Sequence, residues 1–326
     1  MPVLERRFPF AEYPKGWFQV AYSRDVDEGD VIGLHYFGRQ LICYRGNSGT
    51  PYVLDAYCPH LGADIGVGGS VRDDCVVCPF HGWSFTGDGT NVDIPYTKRP
   101  NPTAKLRSWP TVERAGIIFV WHSAHGGAPD WELPKIPESD DAAFAFYAPE
   151  HARWTFRSHP QEVFENTVDI AHFATVHGVS AFGALDVEQN GHLFRAVAEV
   201  NFVTPRGPVS GAVDSELFGL GVDVVRHRGL GRSCTILTVT PIDGERVDAR
   251  YTFFVALDPQ TGEMTRMGMG FARDFCKQIE QDIPIWENKI YRGRPKLAPG
   301  ESAITEFRSW AQNSYDAETT QSAPPR

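Results

Sequence analysis

The sequence predicts an α+β chain in two parts: an all-β unit, then a larger α+β unit built on an antiparallel sheet. Three observations carry this. Short apolar runs broken by Gly, Pro, Asp and Asn fill residues 18–120. A stretch rich in Pro and acids, GGAPDWELPKIPESDD over residues 126–141, has no periodicity and reads as a linker. Beyond it, helical and strand patterns both occur. With 326 residues and roughly 150 residues per domain, two domains fit, placed at 1–141 with the linker included and at 142–326.

In the first part, strands are expected at WFQVAYS, VIGLHYF, QLICYR, PYVLDAY, CVVCPF, WSFTG and IIFVW, which would close into a small antiparallel barrel or sandwich. In the second, QEVFENTVDIAHFATVH over residues 161–177 carries apolar residues at Val163, Phe164, Val168, Ile170, Ala171 and Phe173 and suits a buried helix. LFRAVAEVNFV, SCTILTVTPI and RVDARYTFFVAL read as strands of a second sheet, and residues 271–291 return to helical character. The tail from Asn313 has little to bury and is expected to be disordered.

Forty-two per cent hydrophobic and 22 per cent charged residues exclude wholesale disorder, and a net charge of −10 opposes binding to a phosphate backbone. The charged, proline-containing start MPVLERRFPFAEYPKGW lacks the apolar core of a signal peptide, and no stretch is apolar enough to span a bilayer. A cytoplasmic location is expected. Six cysteines, at 43, 58, 75, 78, 234 and 276, are too few and too clustered for a disulfide framework.

Their spacing points to metal. Cys58-Pro59-His60-Leu61-Gly62 and Cys78-Pro79-Phe80-His81-Gly82-Trp83 are two Cys/His loops. Two thiolates on one iron and two imidazoles on the other would hold a [2Fe-2S] cluster, the His pair raising its potential to about −150 to +300 mV. This is the Rieske pattern. The bland reading is a structural zinc held by Cys75, Cys78, Cys58 and one His, against which stands the double loop match. A second constellation, Glu165 to His177, contains Asp169, His172 and His177. Two histidines and a carboxylate suit non-haem Fe(II), with positions left open for O2. On a regular helix His172 and His177 lie about 140° apart, so a bulge, or an end at Gly178, has to bring them together.

Cluster loops followed by Asn166-x-x-Asp169-x-x-His172-x4-His177 resemble the alpha subunits of Rieske non-haem iron oxygenases over residues 10–298. That resemblance implies a Rieske domain followed by a helix-grip (START-like) catalytic domain. It implies Cys58, His60, Cys78 and His81 as cluster ligands, and His172, His177 and a late-helix carboxylate on the mononuclear iron. Asp282, in Gln281-Asp282-Ile283-Pro284-Ile285-Trp286, resembles that carboxylate, with Asp274, Glu280 and Glu287 as rivals. Asp169 would be an inter-subunit electron-transfer bridge, its carboxylate hydrogen-bonded to His172 and to a Rieske histidine of a neighbouring chain. Its bland reading is a helix cap. Respiratory Rieske proteins add a disulfide between the loops, but Ala63 and Phe80 occupy those positions here.

Pro14-Lys15-Gly16-Trp17, Gly87-Asp88-Gly89, Ile94-Pro95-Tyr96 and Ile118-Phe119-Val120-Trp121-His122 resemble, more narrowly, 3-ketosteroid 9α-hydroxylase oxygenases and cholesterol 7-desaturases. This implies a sterol- or steroid-like substrate, a homotrimer without beta subunits, and electrons from NAD(P)H through a flavin/iron-sulfur reductase or ferredoxin. No dinucleotide fingerprint is evident in this chain. Hydroxylation, desaturation or oxidative demethylation are the outcomes open to such an enzyme. Phe173, Val176, Phe182, Leu217, Phe218 and Phe254 are candidate pocket walls. The competing readings are an oxygenase for a polar heterocycle or aromatic acid, and a non-catalytic Rieske electron carrier.

Overall fold

The computed structural model describes residues 7–10, 13–179, 182–204, 207–229 and 232–315. The chain divides into two compact units. The first comprises Phe18–His122 and Gly126–Asp130; the second takes the rest of the described chain, including the residues up to Trp17, Ser123–His125 and everything from Trp131 onward. This partition departs from a cut after residue 141. Arg7 donates to the main-chain carbonyls of Trp286 and Lys289, and Phe10 stacks on His159 with centroids 4.2 Å apart. The expected linker is also bound from Trp131 on. Trp131 stacks on His192, Leu133 and Ile136 are buried, and Pro137–Asp140 forms a short helix, α1. Three apolar side chains in a polar stretch outweigh its composition.

The smaller unit is all β. One sheet orders Val31–Tyr36, Arg39–Arg45, Pro51–Asp55 and Ser108–Trp109, and another Ser70–Arg72, Cys75–Val77, Ser84–Phe85 and Asn91–Asp93. A third joins Gly16–Tyr22, Ile117–His122 and Thr111–Arg114. The core between the first two includes Ile42, Tyr44, Leu54, Ile65, Val76 and Phe85, and Cys58 and Cys78 are buried with them. The seven expected strands all coincide with observed ones, although WSFTG shrinks to Ser84–Phe85. The very short strands 70–72, 91–93 and 108–109 escape a period-2 reading because three residues or fewer cannot show one.

The larger unit holds one eight-stranded antiparallel sheet. Its path runs Phe144–Tyr147, Arg246–Ala256, Ser233–Pro241, Val222–Arg228, Gly207–Phe218, Leu193–Thr204, Phe182–Asn190, with Arg153–Arg157 pairing off-path with Arg246–Ala256. Side chains alternate across it. Asp214, Glu216 and Arg226 form ion pairs with Arg195, Arg226 and Glu138 on one face, while Val213, Ser215 and Val225 face the other way, into a cavity. Further helices are α2 (Pro160–Phe164), α3 (Ile170–Val176), α4 (Arg266–Asn288) and α5 (Ser302–Ala311). Thr265 caps α4, accepting from the Gly268 amide. Ala272, Cys276, Ile279 and Trp286 of α4 join Phe194 and Leu217 of the sheet and Phe307 and Trp310 of α5 in one core. Each such large side chain contributes about 1.5–3 kcal/mol by burial.

Two expectations need correction. Residues 161–177 are not one helix: α2 passes into a 3-10 turn, Glu165–Thr167, and α3 restarts after Asp169. Nor is the chain disordered from Asn313. Gln312–Ser314 is a 3-10 turn, the Ser314 carbonyl accepts from the Lys15 amide at 2.7 Å, and Tyr315 stacks on Phe10. Partners distant in sequence hold this segment, which local composition cannot show. Residues 316–326 lie outside the described residues. Among the described residues no helix is long and apolar enough to cross a membrane.

Candidate functional site

The first candidate centre lies on two loops of the smaller unit that repeat one hydrogen-bonding pattern. The Cys58 amide donates to Ala63 O and the Gly62 amide to Cys58 O; likewise Cys78 donates to Trp83 O and Gly82 to Cys78 O, all at 2.8–3.0 Å. Gly82 makes its turn at φ +72°, and a Cβ there would stand 2.9 Å from the Pro95 ring, so glycine is required on both counts. The loops set Cys58 and Cys78 close together, both 2% exposed and each within the electrostatic reach of the other. Burial, foremost, pushes the Cys58 thiol up to about 11. The His60 and His81 rings stand 4.6 Å apart, and His60 stacks on Trp83 at 4.5 Å. His81 Nδ1 is buried with no hydrogen-bond partner. Two crowded thiols and an orphaned imidazole nitrogen are donors suited to a [2Fe-2S] cluster of two thiolates and two imidazoles.

Cys75 lies on strand Cys75–Val77 in the hairpin with Ser70–Arg72. Burial raises its thiol, and the charges that act on it are Asp73, Asp74 and Arg72, residues of that hairpin rather than of the cluster loops. All six cysteines are free.

The second candidate centre is in the larger unit. Donor atoms of His172, His177 and Asp282 lie within 4.8 Å of one another. His177 Nε2 is 3.4 Å from Asp282 Oδ2, and the two imidazole rings are 5.1 Å apart. His172 sits in α3 and His177 is its C-cap, at φ −100° and ψ −7°. Gly178 then turns at φ +69°, and the Val179 amide returns to Phe173 O. The helix end, not a bulge, overcomes the 140° separation. Of the four acids considered on the late helix, Asp282 alone meets the histidines: it is buried, Asp274 and Glu280 are exposed, and Glu287 accepts from the Arg157 amide. Burial pushes the Asp282 carboxyl upward, against the pull of His177, His172 and Asn166. No Lys or Arg is among the groups acting on it. A buried acid and two imidazoles of this kind fit a divalent metal such as iron.

Each imidazole is oriented from behind. His172 Nδ1 donates to the main-chain carbonyl of Asp169, which leaves Nε2 as the free lone pair, with Asn166 Nδ2 3.5 Å away. His177 Nδ1 lies 3.0 Å from Gln281 Oε1, so its Nε2 faces Asp282. Sequence reasoning missed Gln281, because a Gln next to an Asp on a helix carries no pattern of its own. Asp169 caps α3, its Oδ1 accepting from the His172 amide at 3.3 Å. The expected bond from the His172 ring to the Asp169 carboxylate is corrected: Oδ2 stands 3.9 Å from Nδ1 and the carbonyl takes that proton. The carboxylate stays one-third exposed.

A cavity of about 530 Å³ opens against this triad. Its walls include Ala198, Val200, Val213 and Val225 from the sheet and Phe271 and Phe275 from α4. Of the expected wall residues only Phe173 lines it. Leu217, Phe218 and Phe254 are buried elsewhere in the core, Val176 does not reach it, and the Phe182 side chain lies outside the described residues.

The Rieske [2Fe-2S] domain family matches residues 16–110, and the 3-Ketosteroid 9alpha-hydroxylase C-terminal domain family matches residues 120–315. The chain is 39% identical to the cholesterol 7-desaturase nvd of Bombyx mori, over 93% of this chain and 70% of that protein. It is 28% identical to the 3-ketosteroid-9-alpha-monooxygenase oxygenase component of Rhodococcus rhodochrous, over 93% and 81%. Among solved structures, apo dicamba monooxygenase superposes with a TM-score of 0.74 at 16% identity, covering 95% of this chain and 99% of that one. Pseudomonas putida CBB5 NdmB gives 0.74 at 17%, covering 91% and 89%. At such identities the structural likeness speaks for the fold alone.

Proposed function

Because this chain belongs to the Rieske oxygenases, and among them to the family with the 3-ketosteroid 9α-hydroxylase C-terminal domain, we propose that it is the terminal oxygenase for a large, flat, apolar substrate of sterol or steroid type. Its electrons come from NAD(P)H through a separate reductase, as is typical of the family. The observation that carries the substrate reading is the cavity beside His172, His177 and Asp282, which lies within the 300–1,000 Å³ usual for small-molecule sites and has Val, Ala, Leu, Ile or Phe at half of its described lining positions. No Lys or Arg is among its described lining residues. An aromatic acid would meet no cation there and would face acids instead, which disfavours that reading. A bare electron carrier has no use for a triad opening on a cavity.

Cys58, His60, Cys78 and His81 would hold the cluster, and His172, His177 and Asp282 the mononuclear iron. When bound, the cluster supplies electrons singly and the iron supplies activation of O2 for attack on a C–H bond, with hydroxylation, desaturation or oxidative demethylation as outcomes. The protein's part is geometric. The Asp169 carbonyl and Gln281 fix the tautomer and tilt of the two imidazoles, and the apolar walls exclude water and hold the substrate skeleton against the triad. Six free cysteines suit a reducing compartment, and we place the enzyme in the cytoplasm as a homotrimer.

Incubation with NADH, a reductase and a panel of sterols and 3-ketosteroids tests the proposal. Product from a member of that panel is expected; turnover of a small aromatic acid with none from the panel defeats it. Asp169 is proposed as the bridge between the iron site of one subunit and the cluster of the next, since its carboxylate is partly exposed beside His172. Asp169→Asn, which keeps shape and a capping oxygen, is expected to retain both metals while turnover falls by about 100-fold, the upper range for residues that support metal ligands. Near-normal turnover in that variant would reduce Asp169 to a cap.

A further inference from the structure

Asp223 is out of keeping with the wall it belongs to. It sits on strand Val222–Arg228, in register with Leu217 and Leu237 on the strands either side, and it lines the cavity at 4% exposure. Its carboxyl has one hydrogen bond among the described residues, from Ser215 Oγ to Oδ1 at 2.6 Å. The other oxygen has none. Among the described residues no ion pair reaches it: burial, foremost, with Glu216 adding to it, pushes this carboxyl up to about 7 against the pull of Ser215. An uncompensated acid in an apolar wall works against folding, and leucine would fit its row of neighbours. It shares that cavity with Tyr251 and with His172, His177 and Asp282, so a substrate held against the triad lies within the same walls as this acid.

We propose that Asp223, held by Ser215, is the specificity-determining group that hydrogen-bonds the oxygen substituent of an otherwise apolar substrate, and so sets which carbon faces His172, His177 and Asp282. This rests on the sterol-type reading of the preceding subsection. An ionised carboxyl accepts from a ring hydroxyl, and a protonated one donates to a ring ketone, so the shared chemistry is one oxygen on a flat hydrocarbon. His227, four residues along the same strand or about 13 Å, is the other polar side chain of that row, but its Nδ1 is already engaged by Ser233 and its ring stacks on Phe271.

The test is equilibrium binding to the metal-loaded protein, read by quenching of tryptophan fluorescence, with three ligands of one skeleton: cholesterol, cholest-4-en-3-one and the hydrocarbon cholest-5-ene. The wild-type protein is expected to prefer at least one oxygenated ligand over the hydrocarbon by roughly 10-fold or more, since a site built to hydrogen-bond an oxygen rejects the analogue that lacks it. In Asp223→Leu that ratio is expected to fall below about 3-fold through loss of a single hydrogen bond, with hydrocarbon binding undiminished. Which oxygenated ligand loses more tells hydroxyl from ketone. Should the Leu variant not fold, Asp223→Ala with Ser215→Ala, which removes donor and acceptor alike, carries the same comparison, and an undiminished ratio there overturns the proposal. Tight binding with the wild-type ratio kept in Asp223→Leu overturns this inference alone. If none of the three ligands binds the wild-type protein, the sterol reading falls and takes this inference with it.

Discussion

Asp282→Ala is expected to yield a chain that carries two irons where the wild-type chain carries three, with the absorption of the cluster unchanged and turnover lost. The carboxyl contributes the only negative charge among three donors that lie within 4.8 Å of one another, and it is buried with Oδ2 3.4 Å from His177 Nε2. Removing it leaves two neutral imidazoles, a set too weak to retain Fe(II), and loss of a ligand should exceed the 10- to 100-fold penalties of supporting residues, so about 1,000-fold in turnover is expected. The apoprotein should be no less stable, because burial raises this carboxyl and its charge therefore opposes folding. Glu287→Ala, on the same helix but turned to the Arg157 amide, is the control and should keep all three irons. Metal analysis of both variants decides the matter: three irons in Asp282→Ala, or a lost iron in Glu287→Ala, would move the ligand elsewhere. A bare electron carrier would show two irons in every variant, wild type included.

The metal motifs were legible because they are local. Each cluster loop is six residues closed on itself by two main-chain bonds, and Asn166, Asp169, His172 and His177 fall within twelve consecutive residues. The cavity was not legible, for a reason that concerns the same residues as the function. In Gly207–Phe218 and Val222–Arg228 the inward positions include Ser215, Asp223 and His227, so the apolar-polar alternation that marks a half-buried strand is erased where the strand faces the cavity. Both strands were missed, and with them Ser215, Asp223 and His227. Phe144–Tyr147 and Arg153–Arg157 also went unread, being short, and so did Phe182–Asn190. By contrast α5 was readable in principle, with Ile304, Phe307, Trp310 and Ala311 on one stripe. It lies before the tail expected to be loose, between that tail and the predicted helical stretch 271–291, and its apolar face completes the core around Phe194.

Cys78→Ser is expected to abolish the visible absorption and the EPR signal of the Rieske cluster, and with them all turnover, while Cys75→Ser leaves both intact. The contrast is sharp because the two residues are three apart and both belong to the Cys-x-x-Cys that suggests zinc. Their surroundings differ. Cys78 is 2% exposed, lies within the electrostatic reach of Cys58, and is anchored by its own amide to Trp83 O, in a loop that also sets the His81 ring against His60. A thiolate there would be matched by the charge of bound iron, which deprotonates coordinating thiols outright. Serine offers an alkoxide donor only at far higher cost, so the cluster should fail to assemble rather than assemble with altered potential. Cys75 points into a hairpin whose charges are Asp73, Asp74 and Arg72, and its loss should cost about 1 kcal/mol of packing, typical of point substitutions. Absorption and iron content measured on the two variants settle the ligand set. If Cys75→Ser bleaches the protein and Cys78→Ser does not, the thiolate pair is Cys58 with Cys75 and the loop symmetry has no bearing on the metal; if zinc replaces iron in the wild-type protein, the structural reading of Cys-x-x-Cys wins outright.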